Sequence, residues 1–362
     1  MSAPYRVDLR EHGIGVLLRN QAPSGAFVAG PAFSQYGYAW FRDGAFIAEA
    51  LDLVGERAAA GRFHAWAAGV VLRSADGMAR AMVDARLGRV PHPGDYLHCR
   101  YRADGTVGPA DWPTFQLDGP GIWLWSLAHH VEHGGSVDAD VLAAAGVVAR
   151  YLAALREVPA HDAWEERPEH VHTSTRAAIL AGLQAASRLG IRDMELDAAT
   201  AELDRCLREA PLTKWLGADA VDASLLWTIA PYGLLRPDEQ PAATLIDRVE
   251  HELVDVDGGV HRYRDDTYYG GGAWILLTAT LARVRLRRAA PGDAELAGSA
   301  VRWIEAQASA DGDLPEQVAT RAFHPAEVGP WRERWGPSAR PLLWSHAAHL
   351  ALLTELDGHP ES

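Results

Sequence analysis

Apolar residues recur at three- and four-residue spacing along most of the chain, which is the period of an amphipathic helix. Few segments alternate between apolar and polar residues as strands do, so the pattern predicts a chain that is predominantly α-helical. The spacing yields about twelve helices. They are predicted at 5–19, 42–54, 56–88, 116–133, 136–155, 172–189, 192–208, 219–229, 240–253, 271–287, 293–309 and 339–356.

The connections between the predicted helices alternate in length and composition. Some are short, such as Gly55 and the pair Gly134 and Gly135. A longer link, rich in Gly, Pro, Trp, Tyr and charge, precedes every second helix. Six long links before six alternate helices predict a closed double ring, in which the inner helices begin at one common mouth. Long ordered links in a compact domain are usually functional. The long links are 20–41, 89–115, 156–171, 209–218, 254–270 and 310–338.

Composition narrows the class of partner. The 362 residues, 48 % of them apolar types, suffice for a large core. The formal net charge of −14 disfavours nucleic acid and anionic membranes and leaves a neutral small molecule as the expected partner. Neither an N-terminal signal core nor an apolar run of about 18 residues is present, which predicts a cytoplasmic protein without a transmembrane helix. The two cysteines, Cys99 and Cys206, are too few for a disulfide scaffold and lack zinc-site spacing. The thirteen tryptophans suit both hydrophobic cores and stacking on sugar rings.

The segment 161–172 contains two adjacent carboxylates, Glu165 and Glu166, directly after Trp164. A carboxyl group beside an indole is poorly solvated, which raises its pKa and suits a general acid. A surface pair that caps the next helix accounts for the same residues, because negative charge suits a helix N-terminus. Both interpretations stay open on this segment alone.

Glu316 follows Pro315 in the last long link, either as a solvated acid or as a second functional carboxylate. If Glu316 faces the same mouth as Glu165, two distant carboxylates share one cleft. One protonated acid and one ionised base hydrolyse glycosidic bonds, and inversion requires their carboxyl groups to lie about 6.5–9.5 Å apart. On this hypothesis Glu165 has the raised pKa and Glu316 stays ionised.

The first long link ends with Tyr36, Trp40, Arg42 and Asp43 at the start of an apolar helix. Asp43 is interpreted either as a simple N-cap or as part of an Arg/Asp clamp on a polar ligand beside an aromatic wall.

Two further segments allow an alternative interpretation. His170 and His172, with His161 or Asp162, have spacing that could bind a metal ion, but sixteen histidines make accidental pairs common and we disfavour this site. The segment 331–335, Trp-Arg-Glu-Arg-Trp, is either a lid or a solvated loop, and a solvated or structural role is favoured over the lid.

Five blocks of sequence, in order along nearly the whole chain, together resemble glycoside hydrolase family 15, which includes glucoamylases, glucodextranases and isomaltose glucohydrolases. Each block is weak singly, and their order makes the resemblance specific. The matching residues are Tyr36, Trp40, Arg42 and Asp43; Trp112, Gln116, Asp118, Gly119 and Pro120; Asp162, Trp164, Glu165 and Glu166; Arg262, Tyr263, Asp266, Thr267, Tyr268, Tyr269 and Trp274; and Glu316, Gln317, Leu342, Trp344 and Ser345.

The resemblance implies an all-α, single-domain (α/α)6 barrel, with residues 1–357 as the catalytic domain and 358–362 as a C-terminal tail. It implies Glu165 as general acid and Glu316 as general base, without a cofactor or a metal ion. The residues expected to bind the terminal glucose or line its pocket are Tyr36, which lies beside the attacking water, and Trp40, Arg42, Asp43, Trp112, Trp164, Glu166, Arg262, Asp266, Trp274 and Trp344.

The departures from the family concern the length of the substrate. No β-domain precedes the barrel and no starch-binding domain follows it, and His346 stands where fungal glucoamylases carry Tyr. By analogy these differences favour a short saccharide such as isomaltose, cleaved by an inverting exo-acting α-glucoside hydrolase. The alternatives are an α-1,4 glucoamylase, a trehalase-like enzyme and a non-catalytic sugar-binding barrel. The oligomeric state has no sequence signal.

Overall fold

Helices make up most of the structure, a computed structural model that describes residues 7–109 and 111–359. Within these residues the α-helices are α1 Leu9–Arg19, α2 Phe41–Leu53, α3 Arg57–Arg86, α4 Asp118–Glu132, α5 Ala139–Leu155, α6 Thr173–Arg188, α7 Met194–Glu209, α8 Gln240–Glu252, α9 Ile275–Arg288, α10 Asp293–Ala306, α11 Val328–Trp335 and α12 Leu343–Asp357. The two-residue strands are β1 Ala39–Trp40, β2 Arg100–Tyr101, β3 Val260–His261, β4 Ala273–Trp274 and β5 Gln317–Val318. Short 3-10 helices span Ser34–Tyr36, Ala223–Thr228, Tyr268–Gly270, Ala319–Arg321 and Pro325–Glu327.

An inner ring forms the centre of the fold. Helices α2, α4, α6, α9 and α12 and the 3-10 helix Ala223–Thr228 each pack against the next, and α12 closes the ring against α2. The inner helices are buried on nearly every face, and in α2 every residue except Leu53 is buried. The remaining long helices, such as α3 on α2 and α10 on α9, pack outside this ring. The resulting double ring is the predicted (α/α)6 barrel.

Glycine allows two inner helices to approach closely. A Cβ atom at Gly121 in α4 would lie 2.4 Å from the Ala178 carbonyl oxygen in α6, and one at Gly182 would lie 2.7 Å from the Gly121 carbonyl oxygen. Both distances are shorter than a van der Waals contact, so any side chain there would push the two helices apart.

The short strands fix the loops at the mouth of the ring. Trp40 in β1 pairs with Arg100 in β2, which joins the first two long links. Trp274 in β4 pairs with Val260 on one side and with Gln317 on the other, which joins the fifth link to the sixth. Backbone pairing therefore holds the residue next to Glu316 against the loop that precedes α9.

Most predicted helices are present, with two departures. The segment 219–229 contains only the six-residue 3-10 helix Ala223–Thr228, which begins late because Asp222 has an extended backbone and caps the helix by accepting from the Ser224 N–H. The sixth link, predicted as a loop, contains α11. Residues 5–6 of the first predicted helix and 360–362 of the predicted tail lie outside the described residues, and Gly358 caps α12. Within the described part of the chain, none of the helices combines the length and apolar character that crossing a bilayer requires.

Candidate active site

A cavity of about 260 Å³ opens at the N-terminal ends of the inner helices, between the long links. Its volume is near the lower end of the range for small-molecule sites. Two residues predicted for the site, Trp112 and Asp266, do not line the cavity but contact residues that do: Trp112 donates to Glu165 and Asp266 accepts from Arg262. The predicted residues that line it are Tyr36, Trp40, Arg42, Asp43, Trp164, Glu165, Glu166, Arg262, Trp274, Glu316 and Trp344.

Glu165 is surrounded by hydrogen-bond donors. The indole nitrogens of Trp40 and Trp112 donate to its two carboxyl oxygens at 2.7 and 2.6 Å, and the Gln116 amide donates at 3.0 Å. The guanidinium of Arg42 lies 3.5 Å away. These donors fix the orientation of the carboxyl group.

The backbone at Glu165 has a φ of +69°, a left-handed conformation that costs a residue with a side chain roughly 1–2 kcal/mol. Asp162 holds this turn, because its Oδ1 accepts from the backbone N–H groups of Trp164 and Glu166 at 3.0 and 2.9 Å. The conformation of the turn is therefore determined by a buried carboxylate outside the cavity.

A buried ammonium group supports that carboxylate. Lys214 donates to Asp162 at 3.0 Å and to Asp222 at 2.6 Å, and Asp222 in turn accepts from the Trp164 indole at 3.0 Å. Burial alone would lower the pKa of Lys214, but Asp222 and Asp162 outweigh it and raise the pKa. Sequence reasoning missed Lys214, although it is the only lysine among the 34 basic residues of the chain.

Glu316 has a different environment, with an exposed fraction of only 2 %. Tyr36 donates to one carboxyl oxygen at 2.9 Å and Ser338 to the other at 3.3 Å. Burial raises the pKa of Glu316 to about 7, because the bonds from Tyr36 and Ser338 and the charge of Arg262 only partly offset the loss of solvent. The expectation that Glu316 stays ionised is therefore wrong for the free protein below about pH 7, and the alternative of a solvated acid is also wrong.

The segment that carries Glu316 is anchored to α12. Ser345 donates to the Pro315 carbonyl at 2.7 Å, and the Leu314 backbone N–H donates to Nε2 of His346 at 3.0 Å. An accepting Nε2 requires the neutral form of that imidazole. The Ser345 and His346 side chains thus fix the position of Glu316 relative to the N-terminal end of α12.

Arg42 and Asp43 lie in the first turn of α2, where Trp40 is the N-cap, so the alternative that Asp43 caps this helix is wrong. Arg42 donates to Gln116 at 2.8 Å and to Asp118 at 3.0 Å. The Asp43 carboxylate faces the cavity 3.8 Å from Arg42, and burial raises its pKa to about 6. Asp43 is therefore placed to accept hydrogen bonds from a ligand.

Arg262 occupies an aromatic cage on the far wall of the cavity. Its guanidinium donates to Asp266 at 2.7 Å and lies 3.3 Å from Glu166. The rings of Trp164 and Trp274 lie 5.1 and 5.2 Å from the guanidinium carbon. Cation–π contacts and the ion pairs hold this cation in place, so Glu166 faces the cavity in a fixed orientation.

Two interpretations of the sequence are corrected by these positions. Trp331, in α11, lines the cavity and packs edge-on against Tyr268 at 4.9 Å, so the solvated loop is wrong for this residue, whereas a structural role agrees with this packing. The predicted metal alternative is also not formed: His170 stacks on Trp215 at 4.4 Å, and His172 lies 4.0 Å from Asp162.

Comparison with known proteins gives a consistent family. The model of glycosyl hydrolases family 15 matches residues 10–307, a range that includes Glu165 and ends before Glu316. An isomaltose glucohydrolase of Kribbella flavida is 42 % identical over 360 residues, covering 96 % of this chain and 92 % of that protein. A glycosidase variant solved in complex with glucose is 41 % identical, with a TM-score of 0.89 and coverage of 98 % and 97 %. A glucoamylase of Saccharomycopsis fibuligera, 15 % identical with coverage of 99 % and 98 %, shares the fold with a TM-score of 0.70.

Proposed function

The chain belongs to glycosyl hydrolases family 15 and is a glycoside hydrolase, and from that premise we propose that it is an inverting, exo-acting α-glucosidase of short oligosaccharides. The observation that carries the proposal is that Glu165 and Glu316 face one cavity in contrasting environments. Residues 1–357 form the catalytic domain in this proposal.

Glu165 protonates the glycosidic oxygen as the bond to C1 breaks. The proton moves to the leaving sugar, and a carboxylate remains on Glu165. The indole N–H groups of Trp40 and Trp112 already point at both oxygens of that carboxylate. They stabilise the charge that develops during proton transfer and do not need to reorient.

Glu316 removes a proton from the water that attacks C1 from the opposite face. The Tyr36 hydroxyl, which donates to Glu316 at 2.9 Å and lies 2.8 Å from the Tyr268 hydroxyl, borders the position of that water. Water attack on the face opposite to the leaving group inverts the anomeric carbon. The positive charge at C1 lies among carboxylates and indole faces, which stabilise it.

The terminal sugar is held by charged groups fixed by the protein. Asp43 and Glu166 accept from its hydroxyls, and Arg262 donates. The faces of Trp164, Trp274 and Trp344 provide apolar surface for the sugar ring. A cavity that receives one end of a chain suits exo-action on the non-reducing end.

We propose α-1,6-linked glucosides such as isomaltose as the substrate, supported by the similarity to the isomaltose glucohydrolase of Kribbella flavida. The test is hydrolysis of isomaltose, maltose and trehalose at equal concentration, with the anomer of the released glucose followed by NMR from the first turnover. We expect the highest kcat/KM on isomaltose and initial release of β-glucose. Preference for maltose or trehalose would assign the α-1,4 or α-1,1 specificity, initial α-glucose would exclude inversion, and binding without hydrolysis would leave a sugar-binding barrel.

A cytoplasmic location is supported by the cysteines. Cys99 and Cys206 are both free thiols, which suits a reducing compartment. Fractionation of producing cells, with the enzyme detected by its activity, tests this location.

A further inference from the structure

Two inner helices, α2 and α4, and one outer helix, α3, bring two histidines and an aspartate together at the end of the barrel opposite the cavity. Asp52 is in the last turn of α2, His64 in the second turn of α3, and His130 near the end of α4. One ligand atom from each of the three lies within 4.8 Å of the others. Arg42 and Asp52 are ten residues apart on α2, which places the cluster about 15 Å from the catalytic cavity.

The cluster is buried and contains polar atoms without partners. Asp52, His64 and His130 are 2 %, 1 % and 1 % exposed. Nδ1 of His130 lies 2.8 Å from Oδ1 of Asp52. Among the described residues, no hydrogen-bond partner is found for either ring nitrogen of His64 or for Oδ2 of Asp52. Each such atom costs roughly 1–3 kcal/mol when buried without a partner, so their convergence on one point indicates a bound ligand.

We propose that Asp52, His64 and His130 bind a divalent transition-metal ion, with zinc as the best match. Imidazole nitrogens and carboxylate oxygens are both zinc ligands, and the two imidazoles favour zinc over magnesium or calcium. The three side chains supply three ligands, and a water molecule completes the tetrahedral coordination.

The electrostatics of the surrounding helices favour a cation here. The C-terminal ends of α2 and α4 converge on the cluster, and the carbonyl groups at a helix C-terminus carry partial negative charge. An ion at this point links α2, α3 and α4, which are two members of the inner ring and one helix outside it. The site is therefore structural, and it does not take part in hydrolysis.

The test uses the full chain after dialysis against a chelator, with zinc chloride as the probe. After zinc is added back and the excess is removed, we expect elemental analysis to find one tightly bound zinc per chain. We also expect saturating zinc to raise Tm by on the order of 3–5 °C, and excess chelator to reverse this rise. Calcium and magnesium should give no rise, because both prefer oxygen ligands. Hydrolysis at 25 °C should be equal with and without zinc.

Variants distinguish this site from surface histidines. His64→Leu should lose the bound zinc and the Tm response, while His349→Leu, which replaces another fully buried histidine outside the cluster, should keep both. If His64→Leu does not fold, Asp52→Asn keeps the side-chain shape and should lose the ion. No stoichiometric zinc in the wild type, or equal zinc in the wild type and His64→Leu, would show that the cluster holds only water and would overturn the proposal.

Discussion

Two glutamates of the same chemistry face the cavity in different surroundings. Glu165 is 15 % exposed in its side chain and accepts from two indoles and an amide, whereas Glu316 is almost fully buried and accepts from two hydroxyls. Donors that remain in place favour a carboxylate left behind by proton transfer, and burial favours the protonated form. Burial of Glu316 therefore opposes the ionised form that a general base needs, and the assignment of roles rests on the motif blocks that carry the two residues.

The assignment of roles can be tested by amide substitutions. Glu165→Gln removes the proton donor and keeps its shape, so we expect a loss on the order of 10²–10⁴-fold in kcat on a disaccharide. The loss should be much smaller on α-glucosyl fluoride, because fluoride leaves with less protonation. Glu316→Gln should impair both substrates, since water attack needs the base in either case. Glu169→Gln, at an exposed position in the same link, is the control and should leave both rates unchanged. The reverse pattern, with Glu316→Gln spared on the fluoride, would exchange the two roles.

The raised pKa of Glu316 determines the acid limb of the pH–rate profile. Below about pH 7 the free enzyme carries a proton on Glu316 and cannot accept one from water, so kcat/KM should fall about tenfold per pH unit on the acid side. The same limb should be present with α-glucosyl fluoride, which still needs the base. Asp43→Asn should be slower but keep the limb near pH 7, because the pKa of Asp43 is raised only to about 6. An acid limb near pH 4.5 in the wild type would contradict this account.

At the scale of elements, the helices could be predicted because apolar spacing is a local property of the sequence. The inner helices are apolar over long segments, and their bounds fall within a few residues of the predicted ones. The 3-10 helix Ala223–Thr228 and α11 were mispredicted because both are short. A segment of six to eight residues has little periodic signal, and its conformation is decided by what packs on it. Trp331 contacts Tyr268 and Tyr269 in this way.

In the candidate site too, some residues could be predicted from the sequence and others could not. Motif residues such as Asp43 and Arg262 could be placed in one cavity because they end links that meet at one mouth. The supporting residues could not be placed there, because Lys214 lies in 209–218, the shortest of the six long links, and outside every motif block. Its position follows only from the fold that brings Asp162 and Asp222 together.

Lys214 should position the turn that carries Glu165. Lys214→Met leaves Asp162 and Asp222 buried without a counter-ion, which should lower the free energy of unfolding by about 3–5 kcal/mol. A turn held less firmly misplaces the acid, so kcat on isomaltose should fall more than kcat on α-glucosyl fluoride. Arg283→Met is the matched control, because Arg283 is also a buried cation that bridges two carboxylates, Glu49 and Glu355. It should cost similar stability and change both rates equally. Equal losses on the two substrates in Lys214→Met would reduce Lys214 to a structural role.

At the scale of the whole molecule, buried titratable groups make the free energy of unfolding depend on pH with opposite signs. Burial lowers the pKa of His346 to about 3, so the native state binds fewer protons than the unfolded chain between about pH 3 and 6.5. Stability from this group rises with pH across that window. Glu316 acts in the opposite direction, because its native pKa is about 7 against an ordinary value of 4.5. The stability curve of the wild type therefore combines slopes of opposite sign.

The difference between Glu316→Gln and the wild type isolates the contribution of the carboxyl group. Between about pH 4.5 and 7 the native state binds the Glu316 proton more tightly than the unfolded state, so native stability falls as pH rises. The amide does not ionise, so the variant should match the wild type near pH 4 and exceed its free energy of unfolding by a few kcal/mol at pH 8. Denaturant unfolding at both pH values measures this, and Glu333→Gln, at an exposed position, should show no such change. A difference that stays constant with pH would mean that burial does not set the pKa of Glu316. A growing difference would show that the catalytic base destabilises the fold at the pH where it is ionised, as expected where catalysis requires a buried charge.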